Sequence, residues 1–243
     1  MKTAAALLTA AAMITGTARS GGAPGPVDLT TIMYVVEGGG SSATLEWPLV
    51  LGAGSEDAVT RMNAALSYEA MTGETLEQTL ANFSECQRGV VGTAYVVNLN
   101  EAGILDITIS VDFLGAYPST FPYYINLDAA TGLPLAVDGL FDPAGQDDLA
   151  ALLDGMLRAR IAEAVDIYCE GVEEYGWMYQ GFSFTRDNLG SLTIGPDGVT
   201  FHYDFAFPHV AAAAEPDGEL SLDWEALEPF MAVDSPLRVI SER

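Results

Sequence analysis

The chain has 243 residues, 49% of them hydrophobic, which is enough for one large domain or two small ones with a sizeable core. Its 34 aspartate and glutamate residues far outnumber 9 lysine and arginine residues, giving a formal net charge of −25 at pH 7. This composition argues against disorder, and it makes nucleic acid and anionic lipid poor partners because both need clustered positive charge.

Residues 1–23 are typical of a signal peptide with the start of a linker. Lys2 gives a positive start, Ala4 to Ile14 form a short apolar run, and Gly16-Thr17-Ala18 offers small residues for cleavage. The run is too short for a permanent membrane anchor. We therefore expect a periplasmic or extracellular protein with no membrane anchor after cleavage. A short buried N-terminal helix is the alternative.

Lys2 is the only lysine in the chain, so cleavage leaves none. Lysine-based catalysis and lysine-containing phosphate loops are thereby excluded. The remaining acidic charge suits a cationic partner, a divalent cation or a salty environment. Solubility alone is the simpler explanation of the same charge.

The two cysteines are Cys86 and Cys169. In an oxidising compartment we expect them to form a disulfide. Closing so long a loop contributes about 4–5 kcal/mol as an upper estimate of the chain-entropy effect. Two separate buried thiols are the alternative.

The first half of the chain is predicted to form strands on both sides of two helices. Ser55 is a good helix N-cap, Gly73 breaks that helix, and a second helix runs from Thr75 towards Cys86. The strand from Leu105 alternates apolar and polar residues, which predicts one face on a core and one facing water or a partner. The predicted strands are Leu29 to Glu37, Ala43 to Leu51, Val90 to Leu99, Leu105 to Phe113 and Phe121 to Leu127.

The second half begins with the longest predicted helix, Asp147 to Cys169, whose apolar residues recur at helical spacing. The last third is rich in strand signals and ends in a short helix, Trp224 to Met231. Because strands and helices come in clusters, we predict an α+β fold with a mainly antiparallel sheet and helices packed on one face. The predicted strands are Phe182 to Phe184, Leu192 to Ile194, Val199 to Phe207 and Glu219 to Leu222.

A series of motifs runs through the chain in a fixed order: Asn98-Leu-Asn-Glu-Ala-Gly-Ile-Leu105, Gly115-Ala-Tyr-Pro118, Tyr124-Ile-Asn-Leu-Asp-Ala-Ala-Thr-Gly132, Leu140-Phe141, Gly198-Val-Thr-Phe-His-Tyr203 and Ser221 to Phe230. Together these motifs resemble the bacterial domain of unknown function 3298 (DUF3298), including its Asp-x-x-Thr-Gly turn. The front, Tyr34 to Leu66, is similar to a companion domain, 4163. The resemblance therefore divides the mature chain into a 4163-like part, residues 24–97, and a 3298-like part, residues 98–243, in one compact unit.

Relatives in this family form the outer domain of lysozyme-sensing, membrane-anchored anti-sigma factors and the non-catalytic domain of peptidoglycan deacetylases. The resemblance implies an envelope module that binds a cell-wall component or a cationic protein such as lysozyme, with no cofactor and no chemistry of its own. Tyr117 stands where the family usually has histidine, so any role of that histidine is not carried over.

The loop between two predicted strands is rich in aromatic residues, which stack on sugars or anchor protein partners. This gives a speculative ligand-binding set. Covering the end of the sheet is an equally good role for the same side chains. The set is Gly115, Tyr117, Pro118, Tyr123 and Tyr124.

The only two histidines suggest a weak metal site. His202, Asp204 and His209 supply the two imidazoles and one carboxylate of a known site type, but their spacing is not diagnostic. Two ordinary surface histidines are the simpler interpretation, and we predict no metal.

An envelope carbohydrate hydrolase is the alternative function. Such an enzyme needs two carboxylates across a cleft, one with a raised pKa, and acidic pairs such as Asp147/Asp148 and Glu173/Glu174 are present. Among 34 acidic residues such pairs carry little weight. The sequence has no serine-nucleophile elbow, zinc-protease helix motif or glycine-rich phosphate loop.

Overall fold

The chain folds into two compact units, Met1–Leu135 (unit 1) and Ala136–Arg243 (unit 2). Unit 1 contains a six-stranded sheet and unit 2 a three-stranded sheet. Nearly all strand pairs are antiparallel, which confirms the predicted α+β class. The computed structural model describes residues 9–10, 26–38, 41–86, 88–168 and 178–242.

The sheet of unit 1 has the strand order β1-β2-β3-β4-β5-β6, with β3 and β4 the parallel pair. Helix α1 packs on β3, and α3 packs on β2 and β4. The two residues of β1 lie within the predicted signal peptide. The strands are β1 (Thr9–Ala10), β2 (Asp28–Gly38), β3 (Ser41–Gly52), β4 (Gly89–Glu101), β5 (Ile104–Leu114) and β6 (Pro118–Asp128). The helices are α1 (Glu56–Ala65), α2 (Tyr68–Thr72) and α3 (Leu76–Cys86).

Strand β5 forms the centre of the unit 1 core, as its alternation predicts. Its apolar residues from Leu105 to Val111 are buried together with Met62 of α1 and Leu66 just after it, whereas Phe113 at its end is exposed. The opposite face departs from the prediction, because Asp106 is fully buried rather than facing water. The Asn98 side-chain amide donates to Asp106 Oδ1 at 2.7 Å and to Thr108 Oγ1 at 2.8 Å, which lets the polar groups be buried.

The turn between β4 and β5 has only two residues. Ala102 and Gly103 alone form it, with φ angles of 53° and 81°. Positive φ at both central residues is the type I′ geometry that matches the twist of a hairpin. The strands therefore extend to the turn itself.

Strand β6 is an edge of the sheet, and the chain protects it. Pro118 and Pro122 have no backbone N–H to offer a further strand. Beyond them, Asp128 N–H donates to the carbonyl of Leu133 at 2.9 Å, and the following segment forms a bridge to β6. These features oppose pairing with another chain along this edge.

The predicted first helix is two helices. Ser55 caps α1 by accepting a hydrogen bond from Ala58 N–H at 3.1 Å, as predicted. Ser67 then caps α2 by accepting from Ala70 N–H at 3.2 Å. The second cap restarts the helix in a new direction before Gly73 ends it.

Unit 2 is built from short elements and one long helix. Helix α5 confirms the predicted long helix as far as Tyr168. Among the described residues, 3₁₀ helices lie at Arg186–Gly190, His209–Ala214 and Glu228–Phe230. The other elements are α4 (Val137–Leu140), α5 (Gln146–Tyr168), β7 (Leu192–Ile194), β8 (Gly198–His202), β9 (Glu219–Asp223), α6 (Trp224–Leu227) and α7 (Leu237–Ser241).

In unit 2, one predicted strand is too long and another is absent. The strand predicted at Val199 to Phe207 ends at His202, because Asp204 Oδ1 accepts from Ala206 N–H at 2.7 Å and Ala206 has φ 50°. The segment predicted at Phe182 to Phe184 forms no strand, and its last N–H donates to Asp154 Oδ1 at 2.9 Å instead. Local side-chain acceptors replace strand partners at both places.

Two further predictions depend on residues outside the described ones. Cys169 lies outside the described residues, so the bridge to Cys86 stays a prediction. The signal peptide, apart from β1, lies outside them as well. Within the ranges that are described, no helix has the length and apolar character that a bilayer crossing requires.

Candidate functional site

The five residues of the speculative aromatic set do not share one surface. Gly115 and Tyr117 form the tip of the β5–β6 hairpin, where Tyr117 is 59% exposed. Tyr123 pairs with Ile109 and contacts the core, while the next residue, Tyr124, has its side chain on the other face of the sheet. Six residues of strand, roughly 20 Å, separate these tyrosines from Tyr117. A ligand role for each stays a prediction.

The weak metal candidates have other contacts. His202 Nε2 lies 3.0 Å from Thr193 Oγ1, and Asp204 Oδ1 accepts the Ala206 N–H. His209 begins a 3₁₀ helix. Within the described part of the chain, no three His, Cys, Asp or Glu side chains are grouped so as to hold a metal ion.

The environment of His202 keeps its imidazole neutral. Partial burial lowers the pKa of His202 from 6.5 to about 4, against the opposing effect of the Asp217 carboxylate. A neutral ring suits its short contact with the Thr193 hydroxyl. At neutral pH this histidine therefore adds no positive charge to unit 2.

Of the acidic pairs named for the hydrolase hypothesis, the structure describes Asp147/Asp148. Asp147 and Asp148 lie in the first turn of α5, where the helix dipole favours acids. Burial alone would raise the pKa of Asp154, but hydrogen bonds from Arg158 and the Phe184 N–H hold it below its ordinary value. Glu173 and Glu174 are outside the described residues.

Unit 1 contains a cavity that the sequence patterns did not predict. It has a volume of about 250 Å³ and lies between strands β2 and β3 and the segment that carries α1, α2 and the start of α3. Its walls include Ile32, Tyr34, Trp47, Tyr68 and Leu76. These residues come from four separate elements, so no single periodic pattern signals the cavity. We call it the unit 1 cavity.

Hydrogen bonds fix two aromatic walls of the unit 1 cavity. The rings of Trp47 and Tyr68 meet edge to face with centroids 5.2 Å apart. The Trp47 indole N–H donates to the carbonyl of Leu66, and the Tyr68 hydroxyl donates to Thr79 Oγ1 at 2.9 Å. Each ring is thus held at its polar end while its apolar body faces the cavity or the core.

The phenol of Tyr68 stays neutral. Burial raises its pKa above the ordinary value, and the Glu74 carboxylate adds to this rise, while the hydrogen bond with Thr79 opposes it. Tyr68 therefore keeps its proton for donation to Thr79 at any working pH. The wall of the cavity carries no charge at this position.

Unit 2 carries most of the negative charge. It has 21 acidic and 5 basic residues, a net charge of −16, whereas unit 1 has 13 acidic and 4 basic residues, a net charge of −9. Of the described acids in unit 2, 16 are exposed to solvent. We call these exposed carboxylates the acidic surface of unit 2. They include Glu219, Asp223, Glu225 and Glu228.

The arginines of unit 2 that the structure describes already have polar partners. Arg158 pairs with Asp154 at 2.7 Å, and Arg160 lies 3.7 Å from Asp217. Arg238 donates to the carbonyl oxygens of Met231 and Ala232. Most of the exposed carboxylates therefore keep their charge uncompensated by arginine.

No protein-family model and no curated protein matches the sequence. Solved structures do match its fold. A DUF3298 family protein from Bacteroides fragilis aligns with a TM-score of 0.57 and 16% identity over 90% of this chain and 99% of its own. A DUF3298 family protein from Pseudomonas aeruginosa aligns with a TM-score of 0.56 and 13% identity over 88% of this chain and 98% of its own.

The chain has the DUF3298 fold. The likeness supports the 3298 part of the predicted resemblance, and it assigns no activity, because the function of this domain is unknown. The 4163-like front part stays a prediction. The expected boundary between residues 97 and 98 falls inside β4.

The Asp-x-x-Thr-Gly motif of the DUF3298 resemblance has a structural role in this chain. Asp128 Oδ1 accepts from the N–H of Thr131 at 2.6 Å and from its hydroxyl at 2.9 Å, which closes the turn. Gly132, at φ 72°, then lies against α1 so closely that a Cβ atom would be 2.3 Å from the Ala58 carbonyl oxygen. The motif docks the turn onto the helix.

Two other DUF3298-like motifs meet each other in unit 2. The Leu140 carbonyl accepts from Ala232 N–H at 3.1 Å, and Asp142 N–H donates to the Phe230 carbonyl at 2.8 Å. Phe141, between them, is fully buried. These motifs therefore contribute to the packing of unit 2.

Proposed function

We propose that this protein is an exported, non-catalytic module of the cell envelope that binds a cationic protein, such as lysozyme, through the acidic surface of unit 2. The observation that supports this proposal is the concentration of charge, −16 of the total −25, in the smaller unit. Export to the periplasm or the medium is the expectation from the N-terminal sequence.

A charge of this size acts mainly on encounter and specificity. Its field attracts a cationic partner over about one Debye length, roughly 8–10 Å at physiological salt, and raises the association rate. Single exposed ion pairs contribute little, so affinity needs many pairs at once. The numerous exposed carboxylates of unit 2 meet this requirement.

A binding role also accords with the geometry around the unit 1 cavity. None of the described residues that line it is a carboxylate or a histidine, the groups that hydrolysis of a sugar polymer would need. No observed feature favours the hydrolase alternative. A cell-wall polymer remains a second candidate ligand because it belongs to the same compartment.

Calorimetry with lysozyme and, separately, with soluble peptidoglycan fragments tests the proposal. We expect lysozyme to bind at low salt and the affinity to fall steeply as salt is raised. Failure of both ligands to bind at low salt would contradict the proposal. Release of new reducing ends from peptidoglycan by the purified protein would contradict its non-catalytic part.

A control for simple charge attraction is needed. Cytochrome c is also strongly basic, and its binding measures the non-specific contribution. Lysozyme must bind more tightly than cytochrome c at equal salt if the surface recognises a shape as well as a charge. Equal affinity for both proteins would reduce the proposal to a general attraction for cations.

A further inference from the structure

We propose that the unit 1 cavity is a binding site for an uncharged, single-ring aromatic group. Its volume of about 250 Å³ falls between a cavity of roughly 150 Å³ that takes benzene and the lower limit of roughly 300 Å³ for drug-sized pockets. One substituted six-membered ring therefore fits this volume.

The lining excludes a charged ligand. In a chain with 34 acidic residues, the described lining contains neither an acidic nor a basic side chain. A carboxylate or ammonium group entering the cavity would lose its hydration without gaining a counter-charge. An anion would in addition be repelled by the net charge of −25.

The lining also disfavours a sugar. The Asn63 side chain already accepts from the Val50 N–H and donates to the Val50 carbonyl, both at 2.9 Å. Ser67 Oγ accepts from the Ala70 N–H, and Tyr68 donates to Thr79. A saccharide brings several hydroxyl groups, and most of them would lose water without a replacement partner.

The aromatic walls favour a ring over an aliphatic chain. Trp47 and Tyr68 form a fixed edge-to-face pair, and Tyr34 contributes a third ring from β2. Rings add edge-to-face contacts to the burial of apolar area, and the walls need no rearrangement to make them. The ring has two possible sources, a free small molecule or the side chain of a peptide.

The test uses the purified full-length protein with four probes: p-cresol, N-acetylphenylalanine amide, benzoate and glucose. Calorimetry and saturation-transfer NMR should show saturable binding of p-cresol, at least tenfold weaker binding of benzoate, and none of glucose. Binding of the amide as well as p-cresol would indicate a peptide side chain as the source. No saturable binding of either aromatic probe would overturn the proposal.

Two variants locate the site. Leu76→Trp, at the half-buried start of α3, should fill the cavity and weaken p-cresol at least tenfold, whereas Leu152→Trp on the exposed side of α5 should have no effect. Leu76→Ala should keep p-cresol and newly admit 2-naphthol, which covers the case in which the tryptophan variant fails to fold. Unchanged probe binding in both Leu76 variants would refute this location.

The proposal is independent of lysozyme binding. The unit 1 cavity and the acidic surface belong to different units and recognise opposite chemistry. A protein that binds p-cresol but not lysozyme would retain this site and lose only the proposed function.

Discussion

Units 1 and 2 reach a stable core in different ways. In unit 1, strands β2 to β6 have 11–13 residues each and bury mainly aliphatic side chains. In unit 2, the strands have 3–5 residues, and a cluster of aromatic rings is packed among the buried aliphatic side chains of the core. Long strands position the core of unit 1 by backbone pairing, whereas in unit 2 ring contacts add to the packing around short strands.

The ring contacts of unit 2 form one continuous cluster. Phe201, fully buried in β8, lies 5.7 Å from Phe141 and 6.2 Å from Phe184 between ring centroids. Tyr203 and Phe205 continue the cluster with centroids 4.9 Å apart, although the strand has already ended. Ring contacts therefore hold the residues that follow the end of β8.

The largest expected effect comes from removing a ring of this cluster. Phe201→Ala should lower the free energy of unfolding by about 4 kcal/mol, because it leaves a large cavity among rigid rings. Denaturant unfolding measures it. Phe113→Ala in unit 1, where the ring is 39% exposed, is the control and should cost less than about 1 kcal/mol. Equal losses of unfolding free energy in the two variants would contradict the proposed difference between the units.

The next effect tests the close docking within unit 1. Gly132→Ala should cost about 3 kcal/mol, because the new Cβ would lie 2.3 Å from the Ala58 carbonyl oxygen and φ is 72°. Gly139→Ala in α4 meets no atom within 4 Å and should be neutral or slightly stabilising. Thermal melting of both variants decides; a stable Gly132→Ala variant would show that the turn does not depend on this contact.

A smaller effect, of opposite sign, is expected at the hairpin turn. Ala102→Asn should stabilise the protein by about 1 kcal/mol, since asparagine tolerates the φ of 53° better than alanine and asparagine-glycine suits a type I′ turn. Ala206→Asn in unit 2, at φ 50°, is the matched test in an irregular segment. A gain at neither position in equilibrium unfolding would contradict the proposed turn strain.

The smallest effect is a pH dependence in unit 2. Because the pKa of His202 is about 4 in the folded protein and near 6.5 when unfolded, its contribution to stability is complete above pH 6.5 and is lost as pH falls towards 4. His202→Gln should remove this pH dependence. The free energy of unfolding of the wild type should therefore fall relative to that of the variant as the pH drops from 6.5 towards 4. The partial exposure of His202 keeps the effect modest. Parallel stability curves would disprove this assignment.

The regular parts of the fold were predictable from local patterns. The buried apolar residues of β5, the cap at Ser55 and the helical spacing of α5 each depend on neighbouring residues, and the structure confirms them. Long-range arrangements were not predictable in this way. Gln146 is buried because its side-chain amide donates to Asp138 at 2.9 Å and accepts from Arg186 at 2.6 Å, and no local pattern signals such a network.

The two candidate sites also differ in how far the sequence predicts them. The acidic charge is visible in composition, and only its uneven division between the units needed the structure. The sequence does not predict the unit 1 cavity, because its walls come from distant positions. Trp47 and Leu76 have the local pattern of ordinary core residues. The tyrosines near the β5–β6 hairpin looked adjacent in sequence, yet strand alternation separates Tyr123 from Tyr124.

Two matched triple variants compare the units in lysozyme binding and test the central claim most directly. Glu219→Gln, Glu225→Gln and Glu228→Gln neutralise three exposed glutamates in unit 2. The matched set in unit 1 changes three exposed glutamates at helix starts: Glu56→Gln, Glu69→Gln and Glu77→Gln. Each set removes the same charge.

Calorimetric titration with lysozyme at fixed low salt gives the dissociation constants. At about 0.5 kcal/mol for each exposed pair, the unit 2 set should weaken binding about tenfold and flatten its salt dependence, while the unit 1 set should change it less than about twofold. Equal weakening by the two sets, or a larger loss from the unit 1 set, would contradict the assignment of partner binding to unit 2.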